Sequence, residues 1–296
     1  MTDTPDSVTG DIDSLARMGR WVTPAGVESP EHVAFVSGAA LAYLHLALMA
    51  PDTPVALLRD RLALQAAMAC LALSGRPSGA GDLRDTLHLL RPGDLPGPAG
   101  EAYIAWRRAA ERPLSVNTLR RALSDLAPDL DPDLATQTGQ GTAPLARASA
   151  TLGTALDRDP RADTAALILA DATLSRALGW ECLVPLLASG LKRADLRLRG
   201  DALRDACHRA IATAAPGAVR LAAELTRRSA HLRAVAPKLR AKGANAAVQI
   251  FLTRDAAAPA ALPLPDRAAR RLCDRLVTLG AVRELTGRDT FRLYGV

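Results

Sequence analysis

Aromatic residues are scarce in this sequence of 296 residues, since Trp, Tyr and Phe together make up only 3% of it. A core without aromatic bulk has to be packed from Ala and Leu, which favour close-packed helices over sheets. The hydrophobic share of 49% and the charged share of 23% are ordinary for a globular protein and argue against wholesale disorder. The composition therefore predicts a predominantly all-α fold.

The sequence also lacks the common catalytic and metal-binding motifs. None of its five histidines forms HExxH or HxxxH, and GxxxxGK[ST], GxGxxG and GxSxG do not occur. We therefore expect no catalytic residue, no cofactor and no metal site. One alternative stays open around residues 84–108, whose Asp and Arg side chains surround a Pro/Gly-rich turn: they form either a polar pocket or a structural corner held by ion pairs.

Cysteine is rare too, and the four thiols (Cys70, Cys182, Cys207 and Cys273) form no CxxC pair. Each lies in an apolar stretch, which predicts buried free thiols in a reducing cytoplasm. The acidic, polar N-terminus is unlike a signal peptide. The longest apolar run, residues 33–50, is marginal in length for a membrane span and predicts a buried core helix, so we expect a cytoplasmic protein with no membrane partner.

Breaks rich in Pro, Gly, Asp and Thr divide the chain. They indicate a flexible leader over 1–20, a helical region over 21–127, a linker over 128–144, a second helical region over 145–240 and a C-terminal module over 241–296. Capping signals and apolar periodicity predict the individual helices of the two helical regions. The predicted helices cover about 30–50, 54–74, 80–90, 98–111, 113–126, 145–157, 161–178, 200–214 and 217–235.

The end of the chain has a different pattern. A helix over about 244–253, a short helix near 257–262 and a stronger helix over about 265–279 precede "AVREL", the turn "TGRD" and "TFRLYGV". The last segments suit two short strands joined as a hairpin. Three helices followed by a hairpin are typical of the winged helix-turn-helix, whose third helix enters the major groove of DNA. We therefore expect a C-terminal winged helix on a multi-helix body.

Positive charge is concentrated in the same part of the chain. Residues 192–296 hold 21 Lys+Arg and 9 Asp+Glu, whereas residues 1–191 hold 16 and 22. This asymmetry favours a polyanionic partner, although a solvated basic face without a partner gives the same numbers. The candidate DNA-binding residues are Arg267, Arg270, Arg271 and Arg275 on the predicted third helix, Arg283, Arg288 and Arg292 on the hairpin, and Lys238, Arg240 and Lys242 upstream of it.

The motifs "LRDTLHLLRPGDLPGPAG", "LGWECLVPLL", "LRAVAPKLRAKGA" and "DRAARRLCDRLVTLGAVRELTGRDTFRLYGV" carry a resemblance. Through them the chain resembles, from about residue 20 onward, a bacterial family described only as a domain of unknown function, which implies no activity. More distantly, the layout is similar to Fic-related proteins with a helical body and a C-terminal winged helix. The Fic nucleotide-transfer loop HxFx[DE]GNG is absent here, so that activity is not carried over.

Together these features predict a DNA-binding protein, by default a transcriptional regulator or a factor associated with plasmids or mobile elements. Double-stranded DNA is the expected partner of the C-terminal module. The helical body would serve dimerisation or bind a protein partner or an effector. The alternative is a non-catalytic adaptor whose winged helix contacts protein.

Overall fold

The computed structural model describes residues 29–91, 93–137, 143–239, 242–288 and 290–296. This part of the chain is mainly helical, with one small antiparallel sheet. The helices are α1 (Pro30–Met49), α2 (Val55–Leu73), α3 (Ala80–Leu89), α4 (Gly97–Glu111), α5 (Val116–Leu123), α6 (Leu134–Gln137), α7 (Pro144–Arg158), α8 (Asp163–Ala177), α9 (Leu187–Gly190), α10 (Gly200–Val235), α11 (Ala244–Phe251) and α12 (Asp266–Thr278). The strands are β1 (Arg283–Glu284) and β2 (Tyr294–Gly295).

Local capping signals set several helix starts as the sequence predicts. The Ser29 hydroxyl accepts a hydrogen bond from the backbone N–H of His32 at 3.2 Å, and Pro30 occupies the first turn of α1. Ser115 caps α5 in the same way through the N–H of Thr118 at 3.0 Å. These side chains bond N–H groups that have no partner inside the helix. α1 begins at the predicted residue 30, whereas α5 begins at Val116, three residues after the predicted start at 113.

The helix predicted to break near residue 216 is instead continuous. α10 runs through 36 residues with Pro216 buried inside it, whereas the sequence predicted two helices, 200–214 and 217–235. A proline costs a helix one hydrogen bond and a steric clash, but long contacts with α1 and α7 hold this helix together. The two-helix prediction was wrong because propensity was outweighed by packing.

α10 is the central support of the body. α1 packs along it, and α7 and α9 contact it as well, while α2 pairs with α4 and α7 pairs with α8. The buried side chains form one continuous cluster that is dominated by Ala and Leu and extends into the C-terminal module. Within the stretch expected as a linker, Leu130 and Leu134 are buried in this cluster, and residues 138–142 lie outside the described residues.

One helix, α1, is long and apolar enough to cross a membrane by length and composition alone, and 44% of its most apolar window is buried inside the protein. Its inner side packs on α10, whereas Phe35, Leu46 and Met49 are exposed on the outside. A single helix of this kind is weak evidence for a membrane span, because core helices of the same length and composition pass the same test.

The C-terminal module is tied together by its strands. β1 and β2 pair antiparallel, with Arg283 opposite Gly295 and Glu284 opposite Tyr294. Tyr294 also exchanges two backbone hydrogen bonds of 2.9 Å with Ala257, which precedes α12 in the chain. The order is therefore α11, an extended residue at 257, a 3-10 turn at Pro259–Ala261, α12 and the two strands. The second predicted helix, 257–262, is only this single turn.

Candidate nucleic-acid interface

α12 is strongly amphipathic. Its inner face is formed by Ala269, Leu272, Cys273 and Leu276, which are all buried against the module. These residues recur at steps of three and four, which is the spacing of one helix face. Pro265 immediately precedes the helix, and Gly280, at φ +67°, follows its C-cap residue and ends it.

The outer face of α12 carries arginine. Arg267, Arg270, Arg271 and Arg275 are all exposed on it, together with Asp266 and Asp274. Arg270 contacts Asp266 at 3.2 Å on the same helix, in the first turn. Exposed pairs of this kind contribute little to stability, so the arginines do not hold the fold together. They project a planar, charged hydrogen-bonding group into solvent.

Residues outside α12 approach its C-terminal end and the segment that leads into it. At its C-terminal end, the His231 ring nitrogen Nε2 lies 2.9 Å from the carbonyl oxygen of Leu279. Before its N-terminal end, Gly243 adopts φ +95°, and a Cβ at this position would lie 3.0 Å from the carbonyl oxygen of Pro263. The exposed Lys242 is the neighbour of Gly243, so positive charge continues from α12 to this segment.

Lys238 and Arg240 are the other two candidate DNA-binding residues upstream of α12, and only Lys238 lies within the described residues. Lys238 is exposed at the end of a 3-10 turn that follows α10. Arg240 lies outside the described residues.

The hairpin places its apolar residues inward and its arginines outward. Val282 and Leu293 are buried, whereas Arg283 and Arg292 are exposed, which is the alternation expected of strand residues. Arg292 donates from Nε to the backbone oxygen of Arg288 at 3.1 Å, and the same atom lies 3.8 Å from a carboxylate oxygen of Glu284. The contacts of Arg292 are thus made within the hairpin and not with the body.

Arg288, near the tip of the hairpin, contacts the body. Its Nη2 atom lies 2.5 Å from Oδ2 of Asp85 on α3, and its side chain remains half exposed. Asp85 is the more buried of the two, at 14% exposure. The pair joins the tip of the hairpin to a helix about 200 residues earlier in the chain, and it engages an arginine that the sequence suggested as a DNA contact.

A buried ionic cluster fixes the start of the module on the body. Asp255 is 1% exposed and is paired with Arg61 of α2 and Arg84 of α3. Asp60, also buried, accepts the backbone N–H of Asp255 at 2.8 Å and the Nε–H of Arg107 on α4 at 2.8 Å. Two helices of the body, α2 and α3, therefore contact residue 255 directly, and α4 is joined to it through Asp60, eleven residues before α12 begins.

The protonation states of the cluster follow from these contacts. Burial lowers the pKa of Arg84, but hydrogen bonding and the charge of Asp255 outweigh it and raise the pKa above its usual value. Arg107 behaves likewise, since burial is outweighed by the charge and hydrogen bond of Asp60 and the pKa is raised. Burial and the charge of Arg107 lower the pKa of His88. The cluster thus consists of ion pairs, and the lowered pKa of His88 favours its neutral ring.

The ion pairs of this cluster bear on the two interpretations of residues 84–108. Three arginines of this stretch form ion pairs: Arg84 with Asp255, Arg107 with Asp60, and Arg108 with Asp125. Arg107 and Asp60 also line a polar pocket of about 290 Å³. Such ion pairs are what the structural-corner interpretation predicts. Among the described residues, no group of three or more His, Cys, Asp or Glu side chains is arranged to hold a metal ion.

Sequence reasoning missed one further site in the body, a cleft along α1 that contains two histidine contacts. The Ser37 hydroxyl lies 2.6 Å from Nδ1 of His208, and the Trp180 indole N–H donates to Nδ1 of His45 at 3.0 Å. These pairs are separated by 171 and 135 residues of sequence. Because no motif spans such distances, only the folded chain reveals them.

These features define a helical protein with a small two-stranded sheet and an arginine-bearing outer helix near its C-terminus. The model of the family "Protein of unknown function (DUF1403)" matches residues 6–296, nearly the whole chain. The chain belongs to this family, as its motifs indicated; the similarity to Fic-related proteins is not shown by the match. None of the curated proteins matches the chain.

Proposed function

We propose that this chain is a DNA-binding protein that acts through a C-terminal winged helix. The observation that carries the proposal is the two-sided character of α12: four exposed arginines on one face and a buried apolar face opposite. The arginines form few contacts within the protein, so their grouping serves no evident structural need. Arginine binds phosphate as a fork and binds guanine O6 and N7 through two hydrogen bonds.

The order and pairing of the elements support a winged helix. A helix (α11), an extended residue at 257, a short turn, a longer helix (α12) and a hairpin follow one another. The strand residue Tyr294 pairs on one side with Glu284 of β1 and on the other with the single extended residue Ala257, so one bridge extends the two-stranded sheet beside α12. In this arrangement α12 is the recognition helix and the hairpin is the wing.

Each basic group has a role in the proposal. Arg267, Arg270, Arg271 and Arg275 would read base edges or anchor phosphates from the major groove. Arg283, Arg288 and Arg292 would contact the backbone beside it, with Arg288 first leaving Asp85. The upstream cations Lys238, Arg240 and Lys242 would add phosphate contacts, which strengthen binding to any sequence.

The body would then serve dimerisation or bind an effector, and the biological role would be transcriptional regulation or a plasmid or mobile-element function. A cytoplasmic location is part of this proposal. Cys70, Cys207 and Cys273 are free and buried, as suits a reducing compartment. Cys182 is also free but only partly buried, which corrects the prediction that all four thiols are buried.

The test is binding to random-sequence duplex DNA across a salt series. We expect wild type to bind at low salt and to weaken steeply as salt rises, because each phosphate contact releases a counterion. Arg267→Ala/Arg271→Ala should lose affinity and show a shallower salt slope, smaller by about 0.9 per phosphate contact removed. The matched control is Arg120→Ala/Arg121→Ala, which removes two exposed arginines from α5 in the N-terminal half.

The second candidate is a non-catalytic adaptor, and the pair between Arg288 and Asp85 favours it, because the hairpin tip already contacts protein. Absence of DNA binding by wild type at low salt would overturn the DNA proposal and leave the adaptor. Equal losses in the α12 variant and the α5 control would show charge-driven association without a defined site, which also overturns it.

A further inference from the structure

A polar pocket lies where the body meets the segment that leads into the C-terminal module. Its volume is about 290 Å³, and it lies between α2, α4 and the chain that follows α11. The charged residues of its lining are Arg59 and Asp60 of α2, Arg107 and Glu111 of α4, and Arg254. The volume is that of about ten water molecules in the liquid, which is enough for a small polar molecule.

Two of the three arginines in this pocket have counter-ions in the protein. Arg107 donates from Nε to Oδ1 of Asp60 at 2.8 Å, and Arg254 donates from Nη2 to Oε1 of Glu111 at 2.6 Å. The second carboxylate oxygen of Asp60 accepts the backbone N–H of Asp255 at 2.8 Å. Both carboxylates of the lining are therefore engaged, and each one neutralises one arginine.

Arg59 is the third arginine, and within the described part of the chain its guanidinium has neither an ion pair nor a hydrogen bond. Its Nε atom is buried without an acceptor, and the side chain as a whole is partly buried. Buried donors are almost always bonded in folded proteins, to protein groups, to water or to an ion. With three arginines against two carboxylates, the lining has one uncompensated positive charge, which is that of Arg59.

The carboxyl group of Glu111 reports the electrostatic surroundings of the pocket. Burial raises the pKa of Glu111, but the hydrogen bond and charge of Arg254 and the charges of Arg107 and Arg112 outweigh burial and lower the pKa below its ordinary value. Glu111 therefore stays ionised and keeps Arg254 paired. Positive charge outweighs negative charge around this carboxylate, and the same surroundings attract an anion that enters the pocket.

From this arrangement we propose that the pocket binds one small oxyanion, a phosphate, sulfate or carboxylate group, with Arg59 as its counter-ion. A guanidinium has five N–H donors and no acceptor, and its planar fork matches two oxygens of such a group. A cation would add to the uncompensated charge, and a neutral molecule would leave it uncompensated. The proposal goes beyond DNA binding and does not depend on it, since the arginines of α12 are not in this lining.

The experiment is calorimetric titration of the full chain with inorganic phosphate, with ionic strength held constant by sodium chloride. We expect saturable binding of one phosphate per chain, and titrations with sulfate and acetate identify the preferred group. Arg59→Gln removes the unpaired charge and should weaken binding at least ten-fold. Arg121→Gln is the matched control: it removes one exposed arginine from α5, outside the pocket, and should bind phosphate like wild type.

Thermal unfolding separates an oxyanion site from a structural role of Arg59. Because Arg59 has no partner to lose, Arg59→Gln should have the Tm of wild type in chloride, while the rise in Tm that phosphate causes in wild type should be absent. A lower Tm of this variant in chloride would show that a protein group already pairs with Arg59, which overturns the proposal.

The other outcomes that overturn the proposal come from the titrations. They are that none of the three oxyanions binds, that Arg59→Gln binds phosphate like wild type, or that Arg121→Gln weakens binding as much, which would show charge-driven association without a site. Arg267→Ala/Arg271→Ala should bind phosphate like wild type, so failure of the DNA proposal and failure of this one are distinguishable.

Discussion

Arg84 donates two hydrogen bonds to Asp255, one from Nε to Oδ2 at 2.6 Å and one from Nη2 to Oδ1 at 3.0 Å, across 171 residues of sequence. This forked pair is buried and joins α3 to the segment that leads into the C-terminal module. The last residue is held nearby, since Arg61 also donates to the backbone oxygen of Val296 at 3.3 Å. The module is therefore built onto the body by charge as well as by apolar contact.

The first prediction concerns Asp255→Asn. The variant keeps the shape of the side chain but leaves Arg61 and Arg84 buried without their counter-ion, which should lower the free energy of unfolding by about 3–5 kcal/mol. Urea unfolding should show an earlier midpoint with an unchanged slope. Asp157→Asn is the control: it breaks an exposed pair with Arg199 and should cost less than about 1 kcal/mol. Equal losses in both variants would show that the Asp255 cluster is not a structural corner.

Much of this fold was predictable from local signals. Ser29 and Ser115 cap their helices, and the steps of three and four in α12 place its apolar face inward as the sequence indicated. Such features depend on residues within one or two turns of each other, so the sequence alone carries them. The outward position of the α12 arginines followed from the same periodicity.

The features that could not be predicted depend on distant contacts. The continuity of α10 through Pro216 requires the helices packed around it, and the pairing of Ser37 with His208 joins residues 171 positions apart. The attachment of the hairpin tip to Asp85 is of the same kind. No pattern along the chain shows which charged residue will meet which, so the partners of Arg84 and Arg288 emerge only from the tertiary structure.

The second prediction concerns the pH dependence of stability through Asp171 of α8. Its carboxylate is fully buried and accepts the backbone N–H groups of Leu186 and Leu187 at 3.0–3.3 Å. Burial raises its pKa to about 7 from the ordinary value of 3.8, despite these two hydrogen bonds. Because the folded state holds this proton more tightly than the unfolded state, the contribution to stability is largest below about pH 4 and falls as the pH rises to about 7.

Asp171→Asn should remove this dependence. The free energy of unfolding of the variant, relative to wild type, should rise between pH 4 and pH 7 by up to about 4 kcal/mol and then level off. Chemical unfolding at each pH is the measurement. Asp125→Asn is the contrasting control: a hydrogen bond from Arg108 lowers the pKa of that exposed carboxyl, so its small contribution is lost as the pH falls. If the difference in free energy of unfolding between Asp171→Asn and wild type does not change with pH, the raised pKa of Asp171 is contradicted.

The third prediction compares two glycines near α10. A side chain on Gly190 of α9 would overlap the backbone of Ala210, whereas one on Gly217 meets only the end of the Arg220 side chain at 3.9 Å. Gly190→Ala should therefore force α9 and α10 apart and cost about 1–3 kcal/mol. Gly217→Ala improves helix propensity and should gain up to about 1 kcal/mol. Thermal unfolding should move in opposite directions, and a stabilised Gly190→Ala would disprove the close approach of the two helices.

The final prediction joins the hairpin tip to the proposed DNA binding. Asp85 holds Arg288 at 2.5 Å in the free protein, and this bond has to break before Arg288 reaches a phosphate. The free energy needed to break the bond between Arg288 and Asp85 therefore weakens DNA binding. Asp85→Asn keeps the size of the side chain and removes the charge that holds Arg288.

Asp85→Asn should bind duplex DNA more tightly than wild type at low salt, and the salt slope should steepen by about 0.9 if Arg288 gains one phosphate contact. Arg288→Ala should weaken binding more in the Asp85→Asn background than in wild type, because only there is the arginine free at the start. Titrations of the two single variants and the double variant form a cycle that isolates the coupling. If Arg288→Ala costs no affinity in either background, Arg288 does not contact DNA and the hairpin tip is a docking contact with the body alone; equal losses in both backgrounds would show that Asp85 does not restrain Arg288.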